Sequence, residues 1–238
     1  MAPAGPGESV KPDIASSALI VVDMQNDFVS QGGYFDRVAK KYPEVAVDRE
    51  FLGSTVPNIK RLIAGFRSAG RPVVYVQSIL LPDFSDAHFP YWFLPDDPGP
   101  VESQFIVGGT WGAEIVDELK PADGETVVIK KGFNGFHQTS LEAVLRDRGV
   151  TTCVMTGVTT CVCVSSTTRA GVERDFRMIF VSDSTAEVRR EWHEAELRAM
   201  DWAIARVKTT DEVLGLLERA PNGMLGAATR SSTGTILP

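Results

Sequence analysis

Apolar positions along this chain come in short blocks separated by polar, Gly- or Pro-marked stretches. The blocks are SALIVVD from Ser17, VVYVQS from Val73, TVVIK from Thr126, VTTCVMTG from Val150 and FRMIFVSD from Phe176. Runs of this length bounded by turn residues read as buried strands. Between them the apolar spacing becomes helical. Residues 56–69 form one such segment, closed by Gly70 and followed by Arg71-Pro72. Residues 140–148, stopped by Gly149, form another, and residues 164–171 and 191–204 continue the pattern. A short helix is expected at 114–119, an edge strand at ARVKTT, and a last helix at 210–219.

Alternating buried strands and helices imply a parallel sheet covered on both faces. The expected fold class is α/β, a doubly wound, mostly parallel three-layer sheet of the Rossmann type. One domain is expected over residues 17–220, with Pro- and Gly-rich tails at 1–16 and 221–238. Residues 80–111 are aromatic, Pro-rich and aperiodic, which suits a pocket wall or lid.

Composition narrows the function classes. The chain has 238 residues, 43% of them hydrophobic and 23% charged, with a net charge of −7. That balance, without a basic cluster, argues against nucleic acid or an anionic membrane as partner. No run approaches the roughly 20 apolar residues that span a bilayer. The three cysteines, Cys153, Cys161 and Cys163, are packed too closely and are too odd in number for a disulfide framework, which points to a reducing cytoplasm.

Ligands of doubly wound sheets sit beyond the carboxyl ends of the strands. Three chemistry-bearing positions fall there: Asp23 after ALIVV, Lys130 or Lys131 after TVVI, and Cys163 just past VMTG. A thiol at a helix start meets unpaired amides that favour the thiolate and can hold a developing oxyanion. The residues alone leave alternatives open. Cys163 could be a small buried residue, Asp23 a turn residue with Asp27 in similar duty, and either lysine solvated. Cys153 reads as core. Cys161 makes a C-x-C pair with Cys163 but has no further ligand nearby, so it reads as packing.

Three motifs act in combination: VVDMQNDF, then K-x5-F with T-x-L soon after, then TGV-x-T-x-x-CV-x-x-T. Together they resemble the isochorismatase-like cysteine hydrolases over about residues 18–217. The resemblance implies a doubly wound sheet with an Asp–Lys–Cys triad, in which Asp23 is the general acid/base and Cys163 the nucleophile. The Lys-to-Phe136 spacing selects Lys130 over Lys131. It also implies a cis peptide between Val158 and Thr159, turning the Thr159 amide, with that of Cys163, toward the substrate oxygen. Two departures change the expected pocket lining: Cys161 where the family commonly has Asn, and Gly132-Phe133-Asn134 where it commonly has Arg-Tyr-Ser.

The segments near Gly32–Asp36 and 108–119 look most like the ureido- and carbamoyl-cleaving branch, which includes ureidoacrylate amidohydrolase, biuret hydrolase and N-carbamoylsarcosine amidase. The expected activity is therefore C–N hydrolysis of a small amide, ureido or carbamoyl compound through a thioester-like acyl-enzyme. Phe28, Tyr34, Trp111 and Asn26 are expected to contact the substrate. No metal and no cofactor are expected, because the D-x-H motif of the family's nicotinamidases is missing and His88, His137 and His193 are scattered. A homo-oligomer is implied by the resemblance. Competing readings are a vinyl-ether hydrolase that does not need the thiol, and a catalytically silent scaffold.

Overall fold

The computed structural model describes residues 12–88 and 104–220. Its strands are β1 (Ser17–Val22), β2 (Val73–Ser78), β3 (Thr126–Lys130), β4 (Thr152–Val158), β5 (Arg177–Ala186) and β6 (Arg206–Lys208). They form a six-stranded sheet in the order β3-β2-β1-β4-β5-β6, with every neighbouring pair parallel. This is the expected doubly wound α/β fold, and its topological switch point lies between β1 and β4.

The period-two alternation of each strand divides the core between two faces. From β1, Leu19 and Val21 join one apolar cluster, while Ala18, Ile20 and Val22 join the other. Helix α4 (Val56–Ser68) follows the short helices α1 (Asn26–Val29), α2 (Tyr34–Lys41) and α3 (Arg49–Ser54). It buries Ile59, Leu62, Ile63 and Phe66, an i, i+3, i+4, i+7 stripe, against the first cluster. Helices α5 (Leu141–Asp147) and α6 (Ser165–Val172) contribute Leu141, Leu145 and Ala170 to the second. Helix α7 (Arg190–Ala199) precedes β6, and α8 (Thr210–Arg219) closes the order with a capping box formed by Thr209 and Glu212.

Three local expectations are corrected. The segment expected as a helix at 114–119 is only a 3₁₀ turn at Asp117–Leu119. Its backbone is used elsewhere: Glu114 accepts from the Asn26 amide, and the Val116 amide donates to Met24. Ile115 bridges to Gln25 in antiparallel fashion, so the segment is extended where a helix would need its own bonds. Cys163 sits in a π-helical turn (Thr160–Val164) that leads into α6, rather than at an α-helix start. Within the expected tail at 1–16, residues 14–16 form a capped 3₁₀ turn, and the Asp13 amide donates to Thr152 on β4. The rest of that tail and residues 221–238 lie outside the described residues, as do residues 89–103 of the expected pocket wall.

Candidate active site

Strand register brings the chemistry to one sheet edge. Val22 pairs with Val76 on one side and Gly157 on the other, and Ser78 pairs with Lys130. The residues just beyond these positions therefore meet, although they are far apart in sequence. Gly157 is required for this approach. Its φ is +110°, and a Cβ there would lie 2.0 Å from the Val22 carbonyl oxygen. The next peptide, Val158–Thr159, is cis.

Lys130 Nζ is the hub. It lies 2.8 Å from Asp23 Oδ2, 3.4 Å from Cys163 Sγ and 2.5 Å from Ser78 Oγ, and donates to the Gly132 carbonyl at 2.9 Å. Lys130 and Asp23 are 1% and 0% exposed, so the ion pair carries almost no solvent screening. Burial would pull the lysine pKa down, but Asp23 and the Cys163 sulfur overcome it and hold the ammonium above its ordinary range. Burial pushes the Cys163 thiol up; Lys130 opposes this and Asp23 adds to it. The resting cluster is thus an ammonium–carboxylate pair beside a neutral thiol.

Asp23 takes a left-handed backbone, φ +50°, which short carboxamide and carboxylate residues tolerate better than others. Its Oδ1 accepts from the Ser78 amide at 3.0 Å. Its Oδ2 faces Lys130 Nζ at 2.8 Å, a charge-assisted contact that holds the carboxylate beside the Cys163 thiol. Lys131, the rejected alternative, instead pairs with Asp86 at 2.6 Å.

A cavity of about 210 Å³ opens above Cys163. Phe28, Tyr34, Phe35, Phe105 and Ile106 make an apolar wall, while Ser78, Thr159, Cys163 and Glu187 supply polar groups. Phe28, Phe35, Tyr34 and Phe105 pack ring against ring, with centroids 4.5–6.1 Å apart. Of the expected substrate contacts, Phe28 and Tyr34 line the cavity, and Trp111 and Asn26 do not. Trp111 is 52% exposed, and its carbonyl is held by the Asn26 side chain at 2.8 Å. Both serve as a brace between α1 and the 111–113 turn. The C-terminal end of the 80–111 stretch enters the wall through Phe105 and Ile106.

Several participants escaped the sequence reading. Ser78 ends β2, and strand-end position was its available signal. Gln25 clamps Ser78 from both sides, donating to its carbonyl at 2.8 Å and accepting from its amide at 3.0 Å. Glu187 accepts from the Cys161 amide at 2.8 Å, and burial raises its pKa against that bond. His193 is buried; its Nδ1 lies 2.8 Å from Thr160 Oγ1, and burial lowers its pKa. Glu187 and His193 thus hold the turn that carries the thiol. Cys161 lines the cavity, with its thiol pushed up to about 12 by burial and Glu187. His88 and His137 stand ring to ring at 5.6 Å, and no group of three His, Cys, Asp or Glu among the described residues could hold a metal ion.

A thiol, an ammonium and a carboxylate clustered at the strand ends of a doubly wound sheet define the chain as a hydrolase-type α/β protein. More particularly, it belongs to the isochorismatase family, whose Isochorismatase domain matches residues 17–212. It is 35% identical over 236 residues to a ureidoacrylate amidohydrolase RutB of Methylobacterium radiotolerans, covering 93% of this chain and 88% of that protein. A cysteine hydrolase from Pseudomonas syringae pv. phaseolicola superposes with a TM-score of 0.71 at 27% identity, covering 87% of this chain and 94% of that one. N-carbamoylsarcosine amidase from Thermoplasma acidophilum does so with a TM-score of 0.61 at 31% identity, covering 82% and 97%.

Proposed function

We propose that the chain is a cysteine-dependent amidohydrolase that cleaves the C–N bond of a small linear amide, ureido or carbamoyl compound. The observation that carries this reading is the single ammonium shared by Asp23, Cys163 and Ser78. Relatives that act on ureidoacrylate and N-carbamoylsarcosine support the substrate class.

In this reading Cys163 Sγ attacks the carbonyl carbon while Asp23 takes the thiol proton. A neutral thiol beside a carboxylate suits this transfer. The S–C bond forms, and the amides of Thr159 and Cys163 hold the oxyanion. The C–N bond then breaks as Asp23 passes its proton to the departing nitrogen. Water next adds to the acyl-enzyme, giving a proton to Asp23. The C–S bond breaks, and the sulfur recovers that proton. Lys130 remains charged throughout and limits the charge that accumulates beside the sulfur.

The apolar wall makes water scarce around the acyl group and accepts a compact substrate body. All three cysteines are free, which supports a reducing, cytoplasmic setting. Among the described residues no helix is long and apolar enough to cross a membrane. Exposed Val127 and Ile129 on edge strand β3 support self-association into a homo-oligomer.

Ammonia or amine release over a panel of ureido compounds, primary amides and nicotinamide tests the reading. Cys163→Ala is expected to lower kcat about ten-thousand-fold or more. Turnover that survives this change would favour chemistry that does not pass through sulfur.

A further inference from the structure

We propose that Ser78 orients the water that empties the acyl-enzyme. The inference rests on the cysteine-hydrolase reading above and adds a fourth side chain to it. Ser78 is the last residue of β2, is 6% exposed, and lines the cavity that holds Cys163. Its backbone is pinned on both sides. The amide donates to Asp23 Oδ1 and Gln25 Oε1, each at 3.0 Å, and the carbonyl accepts from Gln25 Nε2 at 2.8 Å. The hydroxyl is consequently held in place by groups of the site itself.

Its bonding is half complete. Lys130 Nζ donates to Ser78 Oγ at 2.5 Å, and an ammonium has no lone pair to accept anything in return. The hydroxyl proton therefore needs another acceptor, and no described residue supplies one. A buried donor without an acceptor is costly, and here it borders a cavity of about 210 Å³, roomy enough for water.

The two halves of the reaction present that proton with different acceptors. During acylation the amide nitrogen is a poor acceptor, because its lone pair is delocalised into the carbonyl. The carbonyl oxygen is directed at the amides of Thr159 and Cys163. After the amine leaves, water takes its place beside Asp23. That water has a lone pair to receive the Ser78 proton, a hydrogen to give to Asp23, and a second lone pair to attack the carbonyl carbon. Asp23, Ser78 and Cys163 flank one Nζ at 2.8, 2.5 and 3.4 Å, so a water held by the first two lies next to the acylated sulfur. The water O–C bond forms and the C–S bond breaks. The proton passes by Asp23 to sulfur, leaving free thiol and acid. Ser78 donates a hydrogen bond without losing its proton.

4-Nitrophenyl acetate tests this independently of the natural substrate, since it acylates a reactive thiol and reports release of nitrophenolate. The unsubstituted enzyme should show a burst of about one nitrophenolate per chain, followed by steady turnover. Ser78→Ala should keep the burst amplitude, while steady turnover falls about ten- to a hundredfold further than the burst rate does. Intact mass should then show acetyl-Cys163 accumulating. Hydroxylamine, which attacks the acyl group without needing to be oriented, should restore turnover. Unchanged steady turnover in Ser78→Ala, or no rescue by hydroxylamine, overturns the inference.

If Ser78→Ala loses the burst, the isosteric pair Ser78→Thr and Ser78→Val decides. Thr should retain steady turnover and Val should lose it, and equal rates overturn the proposal. If Cys163→Ala turns over 4-nitrophenyl acetate as fast as the unsubstituted enzyme, the acyl-enzyme reading itself fails, a result distinct from any of these.

Discussion

Asp23 and Asp27 lie on the same short segment, and both are buried, but their oxygens are spent differently. Asp27 Oδ1 accepts from the Tyr34 amide at 3.0 Å and Oδ2 from the Ile106 amide at 2.8 Å. Burial raises its pKa against those bonds, and Arg37 stands off at 3.9 Å. Asp27 thus ties together two segments of the cavity wall. Asp23 takes one amide on Oδ1 and turns Oδ2 to the buried Lys130 ammonium, next to the Cys163 thiol. Equal burial therefore does not mean equal role. A carboxylate bonded on both oxygens by backbone amides builds the wall, and one that faces a buried cation and a thiol can move a proton.

The sharpest break of that comparison is Asp23→Asn. It removes the proton acceptor and is expected to lower kcat about 10²–10⁴-fold in folded protein. It also strips the counter-charge from buried Lys130, which costs about 3–5 kcal/mol in urea unfolding. Asp27→Asn should cost less, about 1–3 kcal/mol, because it leaves one amide donor poorly satisfied and strands no buried cation. Its kcat should stay within about tenfold while KM rises as the Tyr34 and Ile106 segments loosen. Similar kinetic losses in both variants would erase the distinction.

A pH experiment sharpens it further. Burial and Asp23 raise the Cys163 thiol, so less thiolate exists at a given pH than in a free cysteine. Alkylation by iodoacetamide should keep climbing beyond the region near pH 8.5 where a free thiol titrates. Asp23→Asn should move that inflection to lower pH, and Asp27→Asn should leave it in place. A plateau already reached below pH 8 would contradict the neutral resting thiol. The smallest expected effect is at Trp111. Replacing it with Ala should change KM less than about threefold, whereas Phe105→Ala, which opens the wall, should raise it more.

Much of this was legible before any coordinates. β1 and β2 read clearly because a strand buried on both faces is a near-continuous apolar run; β3 is apolar too, although Val127 and Ile129 leave one of its faces exposed. Helix α4 read clearly because its stripe and closing glycine agree. Strand-end position and motif pointed to the same three residues, Asp23, Lys130 and Cys163, and the fold brings the first and last against one Nζ. The 114–119 segment misled because its bonding partners, Met24 and Asn26, are far away in sequence. Trp111 misled because aromatic content alone does not tell which way a ring faces. Ser78 and Glu187 stayed hidden because an isolated Ser or Glu has no pattern until its neighbours are known.

The order of apolar runs determined a doubly wound parallel sheet, since period and burial are local properties of a chain. The same order set which residues end each strand. Only the tertiary structure decided that Lys130 Nζ would reach three side chains at once, that Asp27 would give both oxygens to backbone amides of the wall, and that the Ser78 proton would be left over. Hydrogen-bond saturation is a property of packed neighbours, and folding chooses those neighbours from distant parts of the chain.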